Sequence, residues 1–270
     1  MNALWNELTT KLMTPALIAE KDPYGIKFAE TPEEVLATQR LRYRVFNQEQ
    51  GKGLESAEND GIDQDEYDRH SIHLMVYRKD TGEPVGTYRI IPGQQSVAGL
   101  YSSREFQIRG LDPLLSMTLE VGRSCVDPAY RDGSVVALLW MGIAEIMRRS
   151  GMRYLMGCVS LEETRSAAGW ALYEYFKVHD LLDRAVTAEP VKGYELKKAT
   201  PSAVESLFRD TARMRELMPP LLKGYFRLGA RICGPPAFDY EFGTVDYLLL
   251  LDVARLPERY SRHFNVKVEA

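Results

Sequence analysis

The run from Leu119 to Ser134, Leu-Glu-Val-Gly-Arg-Ser-Cys-Val-Asp-Pro-Ala-Tyr-Arg-Asp-Gly-Ser, is the most informative stretch of the chain for chemistry. Its first half reads as a strand carrying Glu120 and Arg123, with a possible bulge. Its second half, Arg131-Asp132-Gly133-Ser134, directly precedes an apolar-periodic helix. A strand, a loop and a helix N-terminus in that order can cradle an anion, because free backbone N–H groups and the helix dipole both favour negative charge there. Arg131 would add a charge-assisted contact. The plain alternative is that these four residues only turn the chain and cap the helix. The Gly-Lys-Ser/Thr ending of a nucleotide phosphate loop is absent, as is the Gly-x-Gly-x-x-Gly dinucleotide fingerprint. Any phosphate recognised here points towards a pantetheine carrier before a nucleotide.

The elements that must position these residues follow from periodicity. Leu4, Trp5, Leu8, Leu12, Met13 and Leu17 share one face of a helix over Met1 to Ala19, for docking or for membrane contact. Thr31-Pro32-Glu33-Glu34 opens a second helix reaching Glu49, with Val35, Leu36, Leu41, Val45 and Phe46 inward. The acidic segment Gly51 to Arg69 reads as a surface loop long enough to shape a substrate entrance. His73 to Tyr77 and Pro84 to Ile90 form a hairpin. Val135, Leu138, Leu139, Ile143 and Ile146 mark a helix ending at Ser150-Gly151, followed by a strand at Tyr154 to Val159 and a helix at Ala167 to Lys177. A helix from Ala203 to Leu217 stops at Pro219-Pro220, Tyr225 to Cys233 suits a strand or a short helix, and Val245 to Leu251 is a strand.

Beyond these elements the sequence resembles the ornithine-lipid N-acyltransferases, often labelled hemolysin-like proteins, within the acyl-homoserine-lactone-synthase-like branch of the GNAT superfamily. The resemblance rests on Arg42-Tyr43-Arg44-Val45-Phe46, Asp65-Glu66-Tyr67-Asp68, Gly86-Thr87-Tyr88-Arg89 and Glu120-Val121-Gly122-Arg123. It continues through Val126 to Gly133, Pro219 to Ala230, Ile232 to Ala237 and Arg259 to Phe264. It implies an α/β fold, a GNAT-like mixed but largely antiparallel sheet flanked by helices. One domain would span 25–270, with an N-terminal helical extension over 1–24 and a C-terminal elaboration from about 200. It implies a thioester donor carried on the phosphopantetheine of acyl carrier protein, an amino-acid acceptor, commonly the α-amino group of ornithine, and no tightly bound cofactor. Where an acetyl-CoA enzyme has a glycine-rich loop, this chain has Arg131-Asp132-Gly133-Ser134-Val135, which weakens acetyl-CoA as donor.

With that resemblance, Glu120 is the candidate general base for the attacking amine, and Arg123 its orienting partner. The competing role for Glu120 is an ion pair with Arg42, Arg89 or Arg123. Val121, Gly122, Ser124, Cys125 and Val126 would supply backbone contacts to the thioester, and Arg131, Asp132, Gly133 and Ser134 would hold the phosphate. Arg42, Phe46, Asp65, Asp68 and Arg89 are the candidate acceptor-side residues.

Other features narrow the field. A 45% hydrophobic content suits a buried core, and a net charge of −4 argues against a general nucleic-acid partner. Cys125, Cys158 and Cys233 suggest neither a disulfide framework nor a zinc site, and the four histidines lack metal-ligand spacing. Neither a secretory signal nor a spanning segment is read, so the expectation is a cytoplasmic protein with optional peripheral contact to the inner membrane. Trp140, Met141, Met147, Trp170, Tyr173 and Phe176 border either an acyl channel or the core. Arg148, Arg149 and Arg153 could meet an acidic carrier protein. Two other functions compete: a signal synthase that acylates S-adenosylmethionine and closes a lactone, and a non-enzymatic interaction module.

Overall fold

The computed structural model describes residues 14–93 and 99–260. The apolar face expected over residues 1–13, and His263 with the end of the terminal motif, lie outside them. Leu17, placed on the first helix by its spacing, instead belongs to strand β1 (Leu17–Lys21), which pairs with β2 (Tyr24–Phe28). The strand thus supplants the end of the expected extension.

Thr31 caps helix α1 (Pro32–Tyr43) by accepting from the Glu34 amide at 3.3 Å, and a π-helical turn (Arg44–Glu49) carries it to the expected end. Leu41 and Val45 are buried, whereas Val35, Leu36 and Phe46 are half-buried and Thr38, Gln39 and Arg42 take their place inside. The buried face of α1 is therefore polar. The expected hairpin is β3 (Ile72–Arg78) with β4 (Pro84–Pro92), and β4 pairs antiparallel with β6 (Thr118–Val126). A short strand β5 (Phe106–Arg109) lies between them in sequence.

Helix α2 (Ser134–Ser150) buries all five of its predicted inward residues, each worth about 1.5–3 kcal/mol. Gly151, in the left-handed region at φ 67°, ends it and returns its amide to Met147. Next come β7 (Tyr154–Leu161), α3 (Ser166–Val178) and β8 (Thr187–Pro190), which pairs with β5.

The single helix expected from Ala203 to Leu217 is two, α4 (Pro201–Arg209) and α5 (Thr211–Leu217). Asp210 breaks it, because its carboxylate accepts from the Arg213 amide and caps α5 in place of continuing α4. Pro219-Pro220 both closes α5 and opens α6 (Pro220–Arg227), after which come β9 (Arg231–Ile232), β10 (Ala237–Asp239) and β11 (Thr244–Asp252). No helix among the described residues is long and apolar enough to cross a membrane.

The main sheet runs β1-β2-β3-β4-β6-β7-β11-β10, with β9 also on β11. Every pairing is antiparallel except β6 with β7. The mixed, largely antiparallel sheet flanked by helices agrees with the expected GNAT-like architecture. Because side chains alternate along a strand, the sheet has two unlike faces. Leu74, Ile90, Leu119, Val121, Val159 and Tyr247 join α2 and α3 in the larger core. Arg89, Glu120, Met156, Cys158, Asp246 and Leu248 occupy the alternate positions, with Met156 and Leu248 in a smaller cluster around Phe106.

Candidate active site

Strands β6 and β7 pair in parallel register only from Thr118–Tyr154 to Glu120–Met156, although both strands run on. Past Glu120 they part. The gap opens into a cavity of about 280 Å3 whose walls include Glu120, Val121, Gly122, Arg123 and Ser124 on β6 and Gly157 to Leu161 on β7. Gly157 marks the point of parting, since a Cβ there would stand 2.3 Å from the Val121 carbonyl oxygen. At Gly122 an added Cβ would meet open space.

The bulge read in β6 is real. Thr87 pairs with Cys125 and Arg89 with Gly122, so Arg123 and Ser124 together face Tyr88 alone. Arg123 takes φ 49°, a strained value for a residue with a Cβ. Its guanidinium carbon comes to lie 4.3 Å from the Phe242 ring centroid and 5.1 Å from that of Tyr101.

Glu120 is 2% exposed. Among the described residues it forms no ion pair, and Arg42, Arg89 and Arg123 are each held by aspartates instead. The Glu120 carboxylate accepts from the Tyr101 and Ser102 amides, each at 2.7 Å, and from the Ser102 hydroxyl, thereby anchoring the short helix Tyr101–Arg104. Burial pushes its pKa up, and the Ser102 and Tyr101 donors pull against that. An ionised carboxylate has about four acceptor positions. Among the described residues Tyr101 and Ser102 fill three of these, which leaves one.

The polar segment expected as a surface loop is partly interior. Asp63 and Asp68 are buried and clamp Arg42: Asp63 Oδ1 lies 2.6 Å from Nε and Asp68 Oδ1 2.6 Å from Nη1. Arg89 contacts Asp65 at 2.6 Å and Asp68 at 3.2 Å, and Arg123 contacts Asp65 at 3.1 Å. Three arginines and three aspartates thus neutralise one another. Burial pushes the Asp68 pKa up, but Arg42 outweighs it and holds the group well below the usual carboxylate range. His73 Nε2 is 3.2 Å from the Asp68 carbonyl oxygen, and burial depresses its pKa to about 4.

Of the candidate acceptor-side residues, Arg89 and Phe46 reach the cavity, with Asp65 one ion pair behind it. Arg42 and Asp68 stand off the cavity wall, spent on each other. Arg131 to Ser134, and with them Cys125 and Val126, are also outside the lining. The Arg131 guanidinium holds both Glu49 oxygens at 2.6 and 2.7 Å, and Asp132 accepts from the Ser134 amide at 2.8 Å. The turn-and-cap alternative therefore describes this loop as it stands, with Gly133 at φ 95° making the turn.

The basic cluster proposed to meet a carrier is partly paired internally, three arginines against two acids. Arg148 and Arg149 pair with Glu145, and Arg153 pairs with Asp252. Trp140 packs its ring 4.7 Å from that of Tyr225, whose hydroxyl is 3.4 Å from that of Tyr88, and both tyrosines line the cavity. Sequence reasoning missed Glu105, Cys158 and Asp246, which sit together at the cavity's far end. Asp246 did leave a signal, a lone acid inside an otherwise apolar strand; Glu105 left none.

Comparison with known proteins follows the same outline. A family model described as an acetyltransferase (GNAT) domain matches residues 41–141, the stretch from the end of α1 into the first half of α2. An L-ornithine N(alpha)-acyltransferase from Brucella abortus (strain 2308) is 35% identical over 258 residues, covering 90% of this chain and 89% of that protein. The protein of the same name from Agrobacterium fabrum is 33% identical over 256 residues, covering 90% and 85%. The solved structure of TofI in a ternary complex with an inhibitor and MTA is 15% identical, covering 91% of this chain and 97% of that one, at a TM-score of 0.49. With the GNAT domain in place and near full-length similarity to both relatives, the chain is an acyltransferase and belongs to the L-ornithine N(alpha)-acyltransferase family.

Proposed function

We propose that this chain moves a long-chain acyl group, 3-hydroxylated in the favoured case, from acyl carrier protein to the α-amino group of ornithine, the first step of ornithine-lipid synthesis. The observation that carries this reading is a buried carboxylate with one open acceptor position, set beside a strand edge that has lost its partner. An extended pantetheine arm bears amides, and the diverging edges of β6 and β7 offer it backbone partners as an added strand would have. The thioester would then sit against Val121 to Ser124, whose backbone N–H groups would stabilise the oxygen that becomes negative as the amine attacks. Glu120 accepts the amine's proton directly or through water, and the carrier thiol leaves.

The donor's phosphate is assigned to the N-terminus of α2, where it would displace Glu49 from Arg131. The names of the relatives support ornithine as acceptor. The requirement for a carrier protein, the hydroxylated chain and a cytoplasmic setting at the membrane surface complete the proposal. Incubating the purified chain with 3-hydroxyacyl-loaded carrier protein or the matching acyl-CoA, together with a pool of amino acids and S-adenosylmethionine, tests it by mass spectrometry. N-acylornithine formed only with the loaded carrier is expected. A homoserine lactone, or no product from folded protein, would overturn the assignment.

A further inference from the structure

A second group of acids shares the sheet face that carries Glu120. Asp246 on β11 and Cys158 on β7 are brought close by the register Asp246–Ser160 and Leu248–Cys158, and Glu105 follows the short helix that Glu120 anchors. One ligand atom from each of Glu105, Cys158 and Asp246 lies within 4.8 Å of the others. Glu105 is 1% exposed and Asp246 4%. Neither oxygen of Glu105 has a hydrogen-bond partner, nor has Asp246 Oδ1. Burial raises the pKa of both, Asp239 adds repulsion to each, and the Ser160 and Thr244 hydroxyls oppose this at Asp246. The cations that act on them, Arg104 and Lys52, do so from a distance, and Arg104 is paired with Glu241 at 3.6 Å. Buried carboxyl groups without partners are costly; Asp246 meets the cavity, and Glu105 lies beside it without lining the cavity itself.

The place is reachable. Asp246, Asp239 and Cys158 line the same cavity as Glu120. Ser102 bridges the two ends, donating from its hydroxyl to Glu120 while lying 3.5 Å from Cys158 Sγ. We propose that Glu105 and Asp246 bind the side-chain ammonium of the acceptor amino acid, and so select a diamino acid over an uncharged one of equal length. The proposal rests on the amino-acid N-acyltransferase reading above. The unpartnered oxygens of Glu105 and Asp246 would accept from the three N–H donors of a primary ammonium once Glu105 releases to solvent the proton that its raised pKa, about 10, holds. An ammonium held there stays protonated and is no nucleophile, so the α-amine alone is left to Glu120. A divalent ion suits the site less well, because a Cys158 ligand would have to surrender a proton that burial and the adjacent carboxylates hold.

The test compares kcat/KM for L-ornithine and L-norvaline, which has the same carbon skeleton without the side-chain amine. The parent should favour ornithine by about 100-fold. Asp246→Asn and Glu105→Gln should each lower that ratio at least about tenfold, through KM for ornithine, with Glu105→Asp restoring part of it. A parent ratio near one overturns the inference even if no variant folds. So does a ratio that stays put in folded variants, or a stoichiometric divalent ion whose chelation abolishes activity. A parent that acylates norvaline and ornithine alike leaves the acyltransferase reading standing. A parent that acylates no amino acid ends both.

Discussion

The observed anchoring role of Glu120 and its proposed role as base can be separated by substitution. Glu120→Gln keeps one oxygen for the Tyr101–Ser102 turn but cannot take a proton, so kcat should fall by about 10^2 to 10^4 with the far-UV circular dichroism preserved. A stability loss of about 1–3 kcal/mol should accompany it, because an amide N–H group must now face the backbone donors Glu120 satisfies. Equal turnover in parent and variant would remove Glu120 as the base. His73 sets a pH dependence of another kind. Its folded pKa of about 4 lies below the ordinary histidine value of about 6.5, so the unfolded chain binds the extra proton between those values. Stability therefore rises with pH across this window, and lowering pH from 7 to 4 should remove on the order of 3 kcal/mol through His73 alone. Urea midpoints at pH 7 and 5 should differ less once His73 is replaced by Gln. At this scale the sequence marked Glu120 and Arg123 through their motif. It could not show that Asp63 and Asp68 are interior, because a charged residue looks exposed until its partners, here Arg42 and Arg89, are placed in space.

The parting of β6 and β7 is a property of two strands rather than of any one side chain. Gly157→Ala would drive a methyl group into the Val121 carbonyl where the strands must stay close. A stability loss of about 1–3 kcal/mol is expected, along with a raised KM for the acyl donor, measurable by denaturant titration and initial rates. An unchanged donor KM would detach the cleft from donor binding. Elements with one dominant signal were legible: the five apolar positions of α2, the β3–β4 hairpin, the Thr31 cap. Elements decided by competition were not. Asp210 satisfied helix periodicity from Ala203 to Leu217, yet its carboxylate caps the next turn and splits the helix. Leu17 fitted a helical face, but pairing with Lys27 across β1 and β2 prevails.

Across the whole molecule, the C-terminal third completes the sheet and the core as well as part of the cavity wall. Strand β11 lies between β7 and β10, and its Val245, Tyr247, Leu249 and Leu251 enter the core shared with α2 and α3. Ending the chain at Thr200 would bare the β7 edge and remove Val245, Tyr247, Leu249 and Leu251 from that core. Such a protein should be insoluble or lack a cooperative thermal transition; a soluble, cooperatively melting fragment would show the core to be complete without β11. The fold class was legible from the alternation of strand and helix signals and from the ordered motifs. The participation of residues beyond 200 in the central sheet was not, because nothing local in Val245 to Leu251 names its neighbours. One contact across this architecture has a practical side. Trp140 rests on Tyr225, which touches Tyr88, and both tyrosines face the cavity while the indole sits behind them. The protein thus carries its own optical gauge: an acyl chain entering the cleft should change the emission of Trp140, so donor loading can be followed in real time without a label.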